Sequence, residues 1–135
     1  DSLFIVLDSA LGQGLSHYDP SQLDYLALML ERNTKTNVFV MVHVPTSYPT
    51  DPTASMPPQD GQAVENMLSA YKAAHPEKNI WVIFGHLHTG MEWEKDGVHY
   101  HVIQASGGRS SRPTYSQFEV NGNTITVRRV PVTLK

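Results

Sequence analysis

The chain has 135 residues, a formal charge of −3 at pH 7, 40% apolar and 17% charged residues, and no cysteine. The length supports one domain with a real core and not comfortably two, and the lack of cysteine excludes a disulfide framework, a thiolate metal site and a cysteine nucleophile. The acidic balance gives no general attraction to nucleic acid or anionic lipid, and no apolar stretch approaches the roughly 18 residues that a membrane span needs.

The chain opens without Met and runs at once into a β-prone stretch at residues 3–7, LFIVL. Such a start is expected of a single unit, 1–135, cut from something longer. The stretch "LGQGLSHY" then reads as a loop. Asp19, Pro20 and Gln22 supply a helix start with its cap, first-position Pro and capping-box residue. Leu23, Leu26, Ala27 and Leu30 follow at the spacing of a helix lying on a sheet.

A second buried strand is expected at 38–42 within "NVFVMVHVP", ending in His43 and stopped by Pro45. Residues 44–58 hold five prolines and no apolar periodicity, a long irregular loop of the kind that more often carries function than decorates. A second amphipathic helix is expected from about 59 to 74, burying Val64, Met67, Leu68 and Tyr71 and stopping before Pro76. The run at 80–84, IWVIF, is a third strand, buried on both faces. Beyond it lie two hairpins, turning at Asp96 with Gly97 and at Asn121 with Gly122. Strand–helix alternation followed by an antiparallel meander predicts an α/β fold with a mixed sheet and two flanking helices.

Seven histidines are present. His17 and His75 sit in polar connections, where a solvated imidazole is the default. His99 and His101 fall on the polar side of an alternating strand and are expected to be exposed. His43, His86 and His88 differ, because each lies at the carboxyl end of a buried strand, where open α/β sheets form their ligand crevice. If the strand geometry continues past Gly85, His86 and His88 point to one side. Imidazole suits zinc, manganese and iron, and glycines at 85 and 90 let the backbone turn and keep space open. Asp8 is the one carboxylate at a comparable strand end, and a loop or cap hydrogen bond suits it better. Tyr48 has the shape to stack on a base or sugar and Arg109 or Arg112 to hold a phosphate, although an ordinary surface role is the simpler reading for each.

"NVFVMVHVP", then "VIFGHLHTG" some forty residues on, then a hairpin leading to "HVIQASGG", resembles the C-terminal half of the calcineurin-like metallophosphoesterases. Gly85, His86, Leu87 and His88 match the family's Gly-His-x-His motif in full, and His43 matches the strand-end histidine before it. The resemblance implies the C-terminal half of a four-layer αββα sandwich. It implies a dinuclear centre of Mn, Fe or Zn, with His43 and His86 on one metal and His88 on the other. A bridging hydroxide would then attack the phosphorus of a phosphomonoester or phosphodiester. The family's N-terminal motifs, Asp-x-His, Gly-Asp-x-x-Asp and Gly-Asn-His-Asp/Glu, are absent from this sequence. The bridging carboxylate and the general-acid histidine are therefore expected upstream, and these residues alone are expected to be inactive or nearly so.

Two other readings compete. One is a catalytically silent binding module on the same fold, and the other a mononuclear three-histidine enzyme. The expected partners are a phosphoester substrate, the missing half of the domain and, through a face left open by its loss, a second copy of the chain. Neither nucleic-acid binding nor a membrane span is expected. Substrate identity and compartment, cytoplasmic or extracellular, are not legible.

Overall fold

Strand and helix alternate through the first half of the molecule as their periodicities require. The computed structural model describes residues 1–9, 18–51, 53, 55–105 and 113–132. In chain order the elements are β1 (Ser2–Leu7), α1 (Pro20–Glu31), β2 (Asn37–Val42), α2 (Pro58–Ala74), β3 (Asn79–Phe84), β4 (Met91–Lys95), β5 (Val98–Val102), β6 (Thr114–Asn121) and β7 (Thr124–Pro131). Five strands form one mixed sheet in the order β1-β2-β3-β5-β4, and β6 with β7 forms a separate antiparallel ribbon. Strands β1, β2, β3 and β5 run parallel, and β4 is an antiparallel edge. No helix among the described residues is long and apolar enough to cross a membrane.

The register sorts the side chains into two faces. Ile5, Val40, Val82 and Tyr100 are aligned neighbours across four strands, and all are buried. Leu26 and Leu30 of α1 and Val64 and Leu68 of α2 pack in the same core, so both helices cover this face. Each of the fully buried leucines Leu26 and Leu68 contributes about 1.5–3 kcal/mol of apolar burial. The helix stripes are narrower than their periodicity predicts. Ala27 is exposed, and Leu23, Met67 and Tyr71 are only partly covered, because each helix meets the sheet through about one row of side chains.

Helix α1 starts as expected, with Pro20 in its first turn and the Asp19 side chain accepting from the Ser21 N–H at 2.8 Å. Gln22 does not complete a capping box. Its Oε1 accepts from the Asp8 N–H at 3.1 Å, tying the helix start to the exit of β1. The second hairpin turns one residue later than expected, since Asn121 pairs with Thr124 and leaves Gly122 and Asn123 as the loop. Gly122 takes a φ of 57°, which suits a glycine at the first position of a II′-type turn.

The opposite face holds two corrections. β3 is not buried on both faces in equal measure, for Ile80, Val82 and Phe84 are buried while Trp81 and Ile83 are partly covered. His101, expected to be exposed, is fully buried, and His99 is partly covered by its stack on Trp81 at 4.5 Å between ring centroids. The cause is the ribbon. Phe118 of β6 sits edge-on to Phe39, Trp81 and His101, at 6.0, 5.6 and 5.2 Å between centroids, so the ribbon roofs the middle of the sheet. Asn37 Nδ2 donates to the Gly122 carbonyl at 2.9 Å and Asn79 Nδ2 to the Asn123 carbonyl at 2.7 Å, which pins the ribbon's turn to the starts of β2 and β3. The roof stops short of β1, where Phe4 and Val6 remain 60% and 67% exposed.

Candidate functional site at the carboxyl ends of the strands

Parallel strands bring their carboxyl ends to one edge, and there the chain turns away three times within a short distance. Leu7, Val42 and Phe84 are register partners, so Asp8, His43 and Gly85 leave the sheet side by side. Ladder pairing persists one step further, with the Gly85 N–H donating to the His43 carbonyl at 3.1 Å. The Ser9 hydroxyl accepts from the Val44 N–H at 3.2 Å and joins the exit of β1 to that of β2.

The expectation that β3 continues through its histidines fails. The strand ends at Phe84, and His86 and His88 adopt left-handed backbone conformations with φ of 66° and 59°. Alternation therefore does not set their directions. The turning falls on the histidines themselves, since neither Gly85 nor Gly90 has a positive φ. For an L-residue that conformation costs roughly 1–2 kcal/mol, and two such residues one apart make a local strain of the kind that concentrates at functional sites. The bends are held by the Leu87 N–H donating to the Gly85 carbonyl at 2.8 Å and by the Ala105 N–H donating to the His88 carbonyl at 3.2 Å.

The outcome is a close pair of imidazoles. His43 and His86 meet edge to face with centroids 5.4 Å apart. A side chain at position 85 would bring its Cβ to 3.1 Å from His43 Nδ1, so glycine there leaves room for the ring. Partial burial holds the His86 pKa below the usual imidazole value, and the neighbouring His43 and His88 push it the same way. A neutral imidazole presents the lone pair that a metal ion takes. His88 is exposed, and among the described residues no group of three or more His, Asp or Glu side chains converges closely enough to hold a metal ion. The donor chemistry of His43 and His86 thus suits a divalent metal while their number does not complete its coordination.

Beside this edge lies a feature that the histidine pattern did not reveal. Glu65, on the inner side of α2, is 4% exposed. Its Oε1 accepts from Thr46 Oγ1 at 2.9 Å, and its Oε2 pairs with Lys95 Nζ of β4 at 2.8 Å. Burial, the largest influence, pushes the carboxyl pKa up. It is outweighed by hydrogen bonds from Lys95, Ser47 and Thr46 and by the Lys95 charge, which leave it below the usual carboxylate value. A charged residue amid the apolar positions of α2 was the sequence signal for this group.

The remaining expectations divide. His101 lies between Glu92, 3.1 Å from its Nδ1, and Ser116 Oγ, 2.7 Å from its Nε2. The order acid, imidazole, hydroxyl is that of an activated nucleophile. Here the ring is fully buried beneath Phe118 and the group clamps the ribbon to the sheet. Arg129 lies 3.8 Å from Glu92 and Arg128 3.8 Å from Glu119. Tyr48 is partly buried and edge-on to Trp93 at 6.5 Å. His17, Arg109 and Arg112 lie outside the described residues.

No family model matches the chain, and no curated protein does. Among solved structures, a single mutant of Vps29 from Entamoeba histolytica is similar over 96% of this chain and 99% of that chain, at 14% identity. The TM-score of 0.29 is too low for that likeness to carry an argument.

Proposed function

We propose that this chain supplies the imidazole donors of a metal-dependent phosphoesterase centre, with His43 and His86 on one ion and His88 beside it. The observation that carries the reading is the contact of His43 with His86 at 5.4 Å across two strand ends, where His86 belongs to a motif that matches Gly-His-x-His. Strain at His86 and His88 supports it, because a structural turn of this kind is more cheaply made with glycine or asparagine. Two imidazoles leave a divalent ion mostly hydrated, so the described residues bind and orient a metal and do not by themselves form a hydrolytic centre. Completion from elsewhere by carboxylates fits the family resemblance. Substrates in this reading are phosphomonoesters or phosphodiesters, and the metals are Mn, Fe or Zn.

A second reading, a binding module without catalysis, is favoured by the lack of a convergent three-ligand group among the described residues. Manganese tests the metal-donor role on which the first reading depends. Mn(II) is titrated into the chain while the histidine ring protons are followed by NMR, with His86→Ala and His99→Ala as paired variants. The phosphoesterase reading expects selective broadening of His43 and His86 that disappears in His86→Ala and persists in His99→Ala. Equal broadening in all three proteins would overturn it.

A further inference from the structure

A cavity of about 300 Å³ opens between the loop that follows His43, the start of α2 and the end of β4. Its polar lining includes Thr46, Ser47, Tyr48, Gln62, Glu65 and Lys95. Thr46 comes three residues after His43, which places the two Cα atoms within roughly 11 Å of each other. The loop is fastened on both sides of the cavity. The Met56 N–H donates to the Pro45 carbonyl at 2.9 Å, Met56 is buried, and Thr46 is held by Glu65 at 2.9 Å. The described part of this proline-rich segment is therefore a built wall.

The charges in the wall cancel. Glu65 and Lys95 are joined at 2.8 Å, and the other named polar groups are hydroxyls and an amide. A net-neutral lining gives no preference for a free anion, whereas a hydroxyl both donates and accepts. Adjacent hydroxyls on one ligand can then pair with the carboxylate and with the ammonium at once. Lys95 uses one donor on Glu65 and has its side chain about half exposed, which leaves donors for such a partner. The partly buried Tyr48 ring offers a flat surface to the C–H groups of a polyol. The volume lies at the small end of ligand pockets, about 300–1,000 Å³, so it admits one sugar ring or a three-carbon polyol.

We infer that this cavity receives the uncharged, polyhydroxylated alcohol portion of a phosphoester whose phosphoryl group faces His43. The inference rests on the phosphoesterase reading for the phosphoryl end only. The polyol end is tested without metal, so the two can fail separately.

Ribose 5-phosphate, glycerol 3-phosphate, phenyl phosphate and inorganic phosphate are each titrated into the metal-free chain, with the Trp93 indole N–H signal as reporter because Trp93 touches Tyr48. The two polyol phosphates are expected to shift that signal and the two others to leave it in place. Gln62→Ala changes an exposed residue and should weaken polyol binding about three- to tenfold, the value of one neutral hydrogen bond, whereas His99→Ala, which lies outside the cavity lining, should leave the Trp93 shift intact. Equal shifts from phenyl phosphate, or polyol shifts unaffected by Gln62→Ala and by Tyr48→Leu, would overturn the cavity assignment. Loss of Mn(II) broadening at His43 with polyol shifts retained would remove the phosphoesterase reading and leave the cavity standing.

Discussion

Replacing Gly61 by alanine sets two helix effects against each other. Gly61 lies in the first turn of α2, and alanine there would ordinarily stabilise an exposed helix by about 1 kcal/mol. At this position the added Cβ would stand 1.9 Å from the Thr46 carbonyl oxygen and 2.8 Å from its carbon. The first contact is short of van der Waals separation by at least about 1.5 Å, and the obstacle is backbone, with no rotamer to yield. The helix start and the loop must part. Overpacking of this kind costs about 1–3 kcal/mol, and loosening the Thr46 bond to the buried Glu65 carboxylate adds about 1.5–3 kcal/mol. The clash exceeds the propensity gain, and a net loss of about 2–4 kcal/mol is expected. Urea unfolding followed by tryptophan fluorescence should show a midpoint about 1–2 M lower. Gly122→Ala is a useful comparator, since nothing lies within 4 Å of its Cβ and its cost arises from a φ of 57° alone. An unchanged or higher midpoint for Gly61→Ala would refute the close seating of α2 on Thr46 and with it the fixed wall of the cavity.

Three further outcomes follow from the same contacts. The depressed Glu65 pKa means that its stabilisation is full above the unfolded carboxylate value of about 4.3 and is lost as pH falls through the folded value. Glu65→Gln should accordingly be less stable than the parent at pH 7, with a gap that closes in acid, and a parallel pH profile in urea melts would contradict this. His101 has the same sign of linkage at a higher pH. Burial, chiefly, holds its pKa below the ordinary value and Arg129 adds to this, against the pull of Glu92, so the unfolded chain takes up the proton first and stability falls as pH drops below about 6.5. His101→Asn should flatten that slope in thermal melts between about pH 7.5 and 5.5, and a slope identical to the parent's would show that another group sets it. At the uncovered sheet edge, Val6→Lys should reduce concentration-dependent association seen by light scattering. A parent that is monomeric at high concentration would remove the expected second copy from the list of partners.

Periodicity and punctuation made the architecture readable. β1, β2 and β3 are uninterrupted apolar runs, Asp19 with Pro20 marks a helix start that the structure keeps, and Asp96 with Gly97 is a hairpin turn in which both residues take positive φ. Such features are local and need no knowledge of what lies opposite. His101 shows the limit. Its strand alternates as a half-solvated strand does, and only the packing of Phe118, fifteen or more residues further along, decides that the polar side is roofed. The site shows a similar division. His43 and His86 were legible as strand-end histidines, but their contact depends on the shared register of Val42 and Phe84. The left-handed turns at His86 and His88 have no signature in the residue type, because sequence rules assign such conformations to glycine first. Glu65 is hard to read from sequence for a related reason: a carboxylate on a helix is normally solvated, and its burial is made tolerable by Lys95 reaching from β4 and by the Thr46 hydroxyl.

The ribbon's place in the chain has a bearing on how the molecule comes into being. β6 and β7 are the last described elements to leave the ribosome, and they follow every strand of the sheet that they roof. Since domains generally fold as their chain is synthesised, the sheet can assemble while Phe39, Trp81 and His101 still lack Phe118 above them. For that interval the nascent molecule presents an aromatic, half-finished surface to other chains and to chaperones. A stop between residues 105 and 114 would thus leave a species with its helices seated on one side of the sheet and an adhesive surface on the other, making the β6–β7 hairpin a late solubility device as much as a structural one.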